Sequence, residues 1–237
     1  FPDLNLKVSD VESSWAGLRP LIHEEGKSAS EMSRKDEIFE SDTGLISIAG
    51  GKLTGYRKMA ERVVDVLAKR MKEQDGRQLP QTQTQDISLH GGPFASAEEV
   101  NKYREKLNVR IKELGLQPYH AVYLVANYGK KSEVILEKMS AFEGADPNIA
   151  LARAEAWYCR EYEMANRALD FYNRRSGRLY FDLPSIQPTL EAVLQDFQEE
   201  LDWTDARKQR EAEAVHAAIS HVSTFEPATA HQVSADS

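Results

Sequence analysis

The fold is decided by one stretch, which reads Leu45-Ile46-Ser47-Ile48-Ala49-Gly50-Gly51-Lys52-Leu53-Thr54-Gly55-Tyr56-Arg57. Its first half is apolar and partly β-branched, as buried strands are. The pair Gly50-Gly51 removes two Cβ atoms where the chain must turn. After the glycines, apolar residues recur at helical spacing to about Glu73. The stretch therefore predicts a strand, a glycine turn and a helix from about Leu53 to Glu73.

A corner of this kind has a defined chemistry. The first turn of a helix presents backbone N–H groups and the positive end of the helix dipole, which favour an anion or a ring with developing negative charge. Lys52 stands just before the helix, where the dipole disfavours a cation, and such a misfit indicates a ligand. Glycine pairs also mark many turns that bind nothing, so an ordinary corner with a solvated lysine stays open.

Two arginines precede the corner. Arg34 comes before Asp36–Phe39, which together with Leu45–Ala49 predicts a hairpin. Arg19 lies near the end of a second predicted strand, Ser14–Ile22, where Pro20 forces a turn. The planar fork of an arginine suits a phosphate group. A solvated side chain is the alternative at both positions.

Composition excludes several classes of function. The 237 residues carry 30 lysines and arginines against 38 aspartates and glutamates, a net charge of −8, which argues against nucleic-acid binding. The single cysteine, Cys159, allows no internal disulfide, fits a reducing compartment and is predicted to be buried in a helix. No apolar run is long enough to span a bilayer. The six histidines lack metal-ligand spacing, so we expect no metal.

The chain divides at a polar, glutamine-rich and proline-bounded stretch, residues 78–93, which is typical of a linker. Ile87–Leu89 within it predicts a short strand, and the alternation of Leu4, Leu6 and Val8 predicts another. The predicted organisation is a first domain over 1–77, the linker, a helical domain over 94–220 and a flexible tail over 221–237.

The second domain contains only helical patterns. Ser96 and Thr204 are predicted N-caps of helices that end near Leu114 and Ser220. Further helices are expected over Tyr119–Tyr128, over Glu133–Met139 with Ser132 as cap, over Ile149–Arg175 and over Thr189–Leu201. The long helix places Trp157, Met164, Ala165, Ala168, Phe171 and Tyr172 on one face, which predicts a core stripe. Arg174, Arg175 and Arg178 around Gly177 indicate a helix C-terminus or an interface.

Two motifs carry a resemblance to a known family. They are Ser14-Trp15-Ala16-Gly17-Leu18-Arg19-Pro20 and Ala49-Gly50-Gly51-Lys52-Leu53-Thr54-Gly55-Tyr56-Arg57. A third block comprises Ala154-Glu155, Glu163-Met164-Ala165 and Asp170-Phe171-Tyr172-Asn173-Arg174-Arg175. Over roughly Phe1 to Ile219 the chain resembles the FAD-dependent (aerobic) glycerol-3-phosphate dehydrogenases, C-terminal portion. The implied fold is an α+β fragment: strands and one helix from the end of an FAD-dependent oxidoreductase domain, followed by an all-α domain.

The resemblance also implies an activity and a site. Members transfer hydride from C2 of glycerol 3-phosphate to FAD, giving dihydroxyacetone phosphate, and pass the electrons to a quinone. It implies that Arg19 and Lys52 are catalytic and that Arg19, Arg34 and Lys52 bind the substrate. The implied cofactor-binding residues are Gly50, Gly51, Lys52, Leu53 and Thr54. Members often carry a second threonine where this chain has Gly55, so a hydroxyl contact there would be absent.

Further expectations follow from the resemblance. The diphosphate-binding GxGxxG turn of the family is not found in the sequence, so we expect a fragment that is inactive alone. A cytoplasmic protein of glycerol metabolism is expected, with peripheral association with the inner face of the plasma membrane and a homodimer as open options. An oxidase that uses oxygen is the close alternative. A helical docking module without catalysis is the alternative from another class.

Overall fold

The computed structural model describes residues 4–18 and 36–225. These residues divide into two compact units, with the boundaries after Ala16 and after Ser88. We call the described residues between these boundaries the hairpin unit. The described residues up to and including Ala16, together with those after Ser88, form the helical unit.

The hairpin unit begins with two antiparallel strands, β1 (Asp36–Glu40) and β2 (Ile46–Gly50). Their register places Ile38 opposite Ile48, and Ser41 closes the turn because its hydroxyl accepts a hydrogen bond from the Leu45 N–H at 3.1 Å. A 3-10 turn and then helix α1 (Tyr56–Asp75) follow. The helix ends at Gly76, whose φ of 67° is in the left-handed region. The predicted hairpin and helix are confirmed.

Three predicted strands are wrong within the described residues. The segment with Leu4, Leu6 and Val8 forms only a short 3-10 turn at its end, and no strand occurs over residues 14–18 or 87–89. Strand formation requires a backbone partner, and among the described residues β1 and β2 pair only with each other. The Ser14 N–H instead donates to the Val222 carbonyl at 2.9 Å. Residues 19–22 of the predicted second strand lie outside the described residues.

The helical unit contains seven α-helices among the described residues. They are α2 (Ala97–Glu113), α3 (Tyr119–Tyr128), α4 (Ser132–Lys138), α5 (Pro147–Glu163), α6 (Arg178–Phe181), α7 (Ile186–Glu200) and α8 (Asp205–Ser223). Helix α5 packs against α4 and α7, α2 packs against α3, and α8 packs against α6 and α7. The largest fully buried side chains are Tyr158, Tyr172, Phe171, Phe197, Ile111, Leu124, Ile135, Leu136, Leu151, Leu179, Ile186 and Leu194.

The helix caps agree with the sequence in two of three cases. The Ser96 hydroxyl accepts from the Glu99 N–H at 3.2 Å, and the Thr204 hydroxyl accepts from the Arg207 N–H at 3.3 Å. Both caps are confirmed. Ser132 is not a cap, because its hydroxyl donates to the Gly129 carbonyl at 2.6 Å from inside the helix.

The predicted long helix over Ile149–Arg175 is wrong, because α5 ends at Glu163. Met164 takes a φ of 56°, and a π-helical turn over Asp170–Arg175 follows. Arg175 donates to the Glu163 carbonyl at 2.6 Å, which satisfies a group left free by the break. Met164 is therefore 81% exposed and does not belong to the predicted core stripe.

Most other members of that stripe are nevertheless in the core. The fully buried members are Ala165, Ala168, Phe171 and Tyr172, whereas Trp157 is partly buried. Helix α7 begins before the predicted Thr189, and α8 continues past Ser220. Among the residues that the structure describes, no helix combines the length and the hydropathy needed to cross a bilayer.

Candidate functional site

The glycine corner between β2 and α1 has the backbone that its sequence requires. Gly50 and Gly51 have φ values of 81° and 80°, which L side chains rarely adopt. A Cβ atom at Gly51 would also lie 2.7 Å from Sδ of Met59 on the facing turn of α1. Both positions therefore need glycine, and the turn is set by the local sequence.

The start of the helix presents uncompensated donors. The Gly55 N–H donates to the Lys52 carbonyl at 2.8 Å. The N–H groups of Leu53 and Thr54, one step earlier, have no acceptor among the described residues. Neither the 3-10 turn nor the first turn of α1 contains an acidic residue. This positive helix end is therefore open to an anionic or electron-rich group.

Lys52 adds a full charge at the same place. It is the N-cap residue of the 3-10 turn, its side chain makes no capping bond, and it is exposed. Leu53, the next residue, is 90% exposed although it is apolar. The corner therefore combines an exposed cation, an exposed apolar side chain and two N–H groups that have no acceptor among the described residues. A flat, partly charged ligand can cover all three.

The five cofactor-binding residues predicted from the resemblance are consecutive in this corner, over residues 50–54. Arg19 and Arg34 lie outside the described residues. Their predicted contact with the substrate phosphate, and the predicted roles of Lys52, stay predictions. Gly55 is the N-cap residue of α1, and as a glycine it has no hydroxyl to offer to a ligand.

A second polar cluster, which we call the Glu155 network, was missed by the sequence analysis. Glu155 is 0% exposed and pairs with Arg178, which is also buried. Its carboxylate accepts hydrogen bonds from the hydroxyls of Tyr123 at 2.6 Å and Tyr128 at 3.0 Å. A detectable signal was present, since Glu155 is the one charged residue between Ala154 and Cys159 in α5, and a buried carboxylate needs a partner.

The predicted cluster of three arginines at a helix C-terminus is therefore corrected. Arg178 is the first residue of α6, behind Gly177, and it points into the core. Arg174 pairs with Asp170 at 3.0 Å, one turn earlier in the π-helical turn. Arg175 binds the end of α5. The three side chains serve three separate places because the predicted helix is broken.

The Glu155 network is structural rather than acid–base machinery. Burial, reinforced by the charge of Glu155, raises the pKa of Tyr123 and of Tyr128, so both hydroxyls remain donors at neutral pH. Burial by itself would lower the pKa of Arg178, but the adjacent Glu155 carboxylate raises it above its ordinary value. Arg178 therefore stays positively charged over the physiological range.

Next to this network the helical unit has a cleft of about 870 Å³. It lies between α3, the first turns of α5, helix α6 and the start of α7. Its lining residues are Tyr119, His120, Tyr123, Asp146, Asn148, Ile149, Leu151, Arg178, Phe181, Asp182, Pro184, Ser185, Pro188 and Thr189. We call this the α3–α7 cleft.

Among the described residues, neither the thiol of Cys159 nor a group of metal-binding side chains forms a further reactive site. The predicted burial of Cys159 is confirmed, and burial raises the pKa of its thiol, so the reactive thiolate is disfavoured. Within residues 4–18 and 36–225, no group of three metal-binding side chains comes together.

Comparison with known proteins agrees with the resemblance. A protein-family model described as the C-terminal domain of alpha-glycerophosphate oxidase matches residues 82–208. The aerobic glycerol-3-phosphate dehydrogenase of Bacillus subtilis (strain 168) is 42% identical over 219 residues, which cover 90% of this chain and 39% of that protein. The aerobic glycerol-3-phosphate dehydrogenase of Staphylococcus epidermidis (strain RP62A) is 36% identical over 232 residues, which cover 97% of this chain and 42% of that protein.

A solved structure is similar as well. The glycerol-3-phosphate dehydrogenase of Bacillus halodurans, complexed with FAD, superposes with a TM-score of 0.76 at 36% identity. The match covers 96% of this chain and 44% of that one, so the chain spans less than half the length of the relatives it matches. The resemblance drawn from the motifs is confirmed: the chain belongs to the family of the C-terminal domain of alpha-glycerophosphate oxidase.

Proposed function

We propose that this chain is the C-terminal part of a flavoprotein that oxidises sn-glycerol 3-phosphate to dihydroxyacetone phosphate. The observation that carries this proposal is the extent of the likeness to the Bacillus subtilis dehydrogenase. It runs over 219 residues, well beyond the matched domain at 82–208, and therefore extends into the hairpin unit.

We further propose that the strands and α1 are the end of an FAD-dependent oxidoreductase domain. In this proposal residues 1–77 complete that domain, 78–93 are the linker and 94–220 are the helical domain. Burial supports it, because no side chain in the described residues of 36–88 is buried, including those of Phe39, Leu45 and Val64. Apolar side chains that remain exposed on a helix and a hairpin indicate a surface that a larger domain covers.

FAD, when bound, supplies the acceptor for the hydride that leaves C2 of the substrate. The residues at the corner fit such a group, because within the described part of the chain the Leu53 and Thr54 N–H groups have no acceptor and the first turn of the helix carries no acidic residue. Lys52 would hold positive charge beside the reacting oxygen, where charge develops in the transition state. Arg19 and Arg34 would bind the substrate phosphate through charge-assisted hydrogen bonds.

The test uses the full-length protein and its flavin absorbance without oxygen. Glycerol 3-phosphate is expected to bleach the flavin band, and Lys52→Met is expected to slow bleaching by about 10²–10³-fold while FAD stays bound. Lys72→Met, in the last turn of α1, is the matched control and is expected to bleach at the unsubstituted rate. A flavin that stays oxidised with glycerol 3-phosphate would refute the substrate. An unchanged bleaching rate in Lys52→Met would refute only the proposed role of the lysine and would leave the substrate assignment standing.

An oxidase that passes the electrons to oxygen is the second candidate. One observation favours it: the matching family model takes its description from an oxidase, whereas the curated relatives are called dehydrogenases. Oxygen uptake by the full-length protein, with and without a soluble quinone, separates the two. Uptake that needs no quinone supports the oxidase, and reduction of the quinone without uptake supports the dehydrogenase.

The remaining expectations are proposals of the same kind. They comprise a cytoplasmic protein, peripheral association with the inner face of the plasma membrane, a homodimer and electron transfer to quinone. The docking-module alternative has less support, because the helical unit matches a domain of an oxidoreductase. Co-sedimentation of the full-length protein with anionic vesicles tests the membrane proposal.

A further inference from the structure

We propose that the α3–α7 cleft binds a small, uncharged aromatic molecule that offers one hydrogen-bond acceptor oxygen. This site would be formed by the helical unit alone and goes beyond the proposed oxidation of glycerol 3-phosphate. The proposal depends on three features of the cleft: its apolar wall, a histidine N–H donor without a partner among the described residues, and its balance of charge.

The wall of the cleft is aromatic and apolar. Phe181 is 76% exposed, and Tyr119 is also largely exposed, although both are large side chains that ordinarily pack. Pro184 and Pro188 also line the cleft with rigid apolar rings. A volume of about 870 Å³ lies within the range of pockets that hold small molecules. A flat apolar ring is therefore the body that this wall can cover.

His120 provides the donor. It is only 5% exposed, lines the cleft and stacks on the Tyr119 ring, with the centroids 4.0 Å apart. Its Nδ1 lies 3.1 Å from both the N–H and the carbonyl oxygen of Gln117. That carbonyl already accepts from the His120 backbone N–H at 3.0 Å, whereas the Gln117 N–H has no other acceptor among the described residues, so we assign Nδ1 as the acceptor of the Gln117 N–H.

This bond fixes the remaining nitrogen. A neutral imidazole that accepts at Nδ1 carries its proton on Nε2. Burial lowers the pKa of His120, which keeps the ring neutral at pH 7. Nε2 has no hydrogen-bond partner within the described part of the chain. Nε2 is therefore an N–H donor on a residue that is only 5% exposed, and a ligand that fills the cleft and displaces water from it needs an acceptor for this donor.

Charge decides against an anionic ligand. The cation at the base of the cleft, Arg178, is already neutralised by Glu155. The side chains of Asp146 and Asp182 add two carboxylates to the lining, and the lining includes no lysine. A phosphate or a carboxylate would therefore meet net negative charge, which excludes the sugar-phosphate class and leaves an uncharged acceptor such as an amide carbonyl.

The test compares three ligands of one shape on the 237-residue chain by saturation-transfer NMR titration. Benzamide is uncharged with an acceptor, benzoate is its anionic counterpart, and toluene is uncharged without an acceptor. Benzamide is expected to bind with a Kd of about 1 mM, as befits a fragment of this size. Benzoate and toluene are expected to bind at least about tenfold more weakly than benzamide, because the lining carboxylates repel benzoate and toluene offers no acceptor to His120.

Variants assign the binding to the cleft. His120→Phe keeps the ring but removes the donor, and it is expected to weaken benzamide binding about tenfold. His216→Phe, at an exposed histidine of α8, is the matched control and is expected to bind unchanged. If His120→Phe fails to fold, Phe181→Ala replaces it, since an exposed wall residue can be truncated without disturbing the core, and weaker benzamide binding is again expected.

A further variant tests the charge argument. Asp182→Asn removes one lining carboxylate and is expected to tighten benzoate binding but not benzamide binding. The proposal is overturned if benzamide does not bind, or if it binds no more tightly than benzoate. It is also overturned if both His120→Phe and Phe181→Ala leave the affinity for benzamide unchanged.

Discussion

The hairpin unit and the helical unit are built from equally regular elements but differ completely in burial. All buried apolar side chains among the described residues lie between Leu107 and Val222, in the helical unit. Helix α1 has the same apolar periodicity as α7, yet none of its residues is buried. The periodicity of a sequence thus sets which face of a helix is apolar, whereas burial depends on whether another element covers that face.

The ion pairs of the two units differ in the same way. In the hairpin unit, Arg57 and Glu61 form an i,i+4 pair at 3.1 Å at the surface of α1, where solvent weakens the interaction. In the helical unit, Glu155 and Arg178 are both buried, and two tyrosine hydroxyls complete the carboxylate's hydrogen bonds. Removing one member of such a buried pair leaves the other charge without compensation.

The largest expected effect is therefore the loss of Glu155. Glu155→Ala leaves the Arg178 cation and the hydroxyls of Tyr123 and Tyr128 without their acceptor, and should lower the free energy of unfolding by about 3–5 kcal/mol. Urea unfolding followed by tryptophan fluorescence measures this, since Trp157 and Trp203 lie in the helical unit. Glu161→Ala, at an exposed position of the same helix, should cost less than about 0.5 kcal/mol. A loss below about 1 kcal/mol in Glu155→Ala would contradict the closed network.

The second-largest expected effect is a difference in unfolding free energy between an apolar truncation in the helical unit and one in the hairpin unit. Leu124 is 0% exposed, and Leu124→Ala should cost about 2–5 kcal/mol because it leaves a cavity in the helical core. Val64 is 54% exposed on α1, and Val64→Ala should change the free energy of unfolding by less than about 0.5 kcal/mol. Thermal and urea unfolding of the 237-residue chain provide the measurement. Equal costs at both positions would show that the hairpin unit has a core of its own in solution.

The smallest expected effect is a dependence of stability on pH. Burial lowers the pKa of His120 below its ordinary value of 6.5, although the Gln117 backbone and the Glu155 and Asp182 carboxylates oppose this, and the Arg178 cation reinforces it. The unfolded chain then binds the proton more readily than the folded chain, so the contribution is present above pH 6.5 and is lost on acidification. Between pH 7 and pH 5 the free energy of unfolding should fall less steeply in His120→Phe. A slope equal to that of the unsubstituted chain would refute this assignment.

The accuracy of sequence-based prediction follows the same division. The hairpin, the glycine corner, α1 and the caps at Ser96 and Thr204 were predicted, because each depends on residues within a few positions of one another. The strand predictions at residues 4–8, 14–18 and 87–89 were wrong, since the alternation of apolar residues says nothing about whether a partner strand is present. The single helix over Ile149–Arg175 was wrong because helical periodicity continues across a break that side-chain contacts of Asp170 and Arg175 stabilise.

The sequence by itself determined the family, the helical domain and the corner over residues 50–54, since motifs, caps and glycines act locally. The tertiary structure alone decided that Glu155 and Arg178 meet in the core and that the nearly buried His120 lies beside an apolar cleft. The side chains that contact Glu155 are 23 or more positions away from it in the sequence, Arg178 being the nearest. No local sequence pattern encodes contacts between residues so far apart in the chain, because these contacts depend on how α3, α5, α6 and α7 pack together.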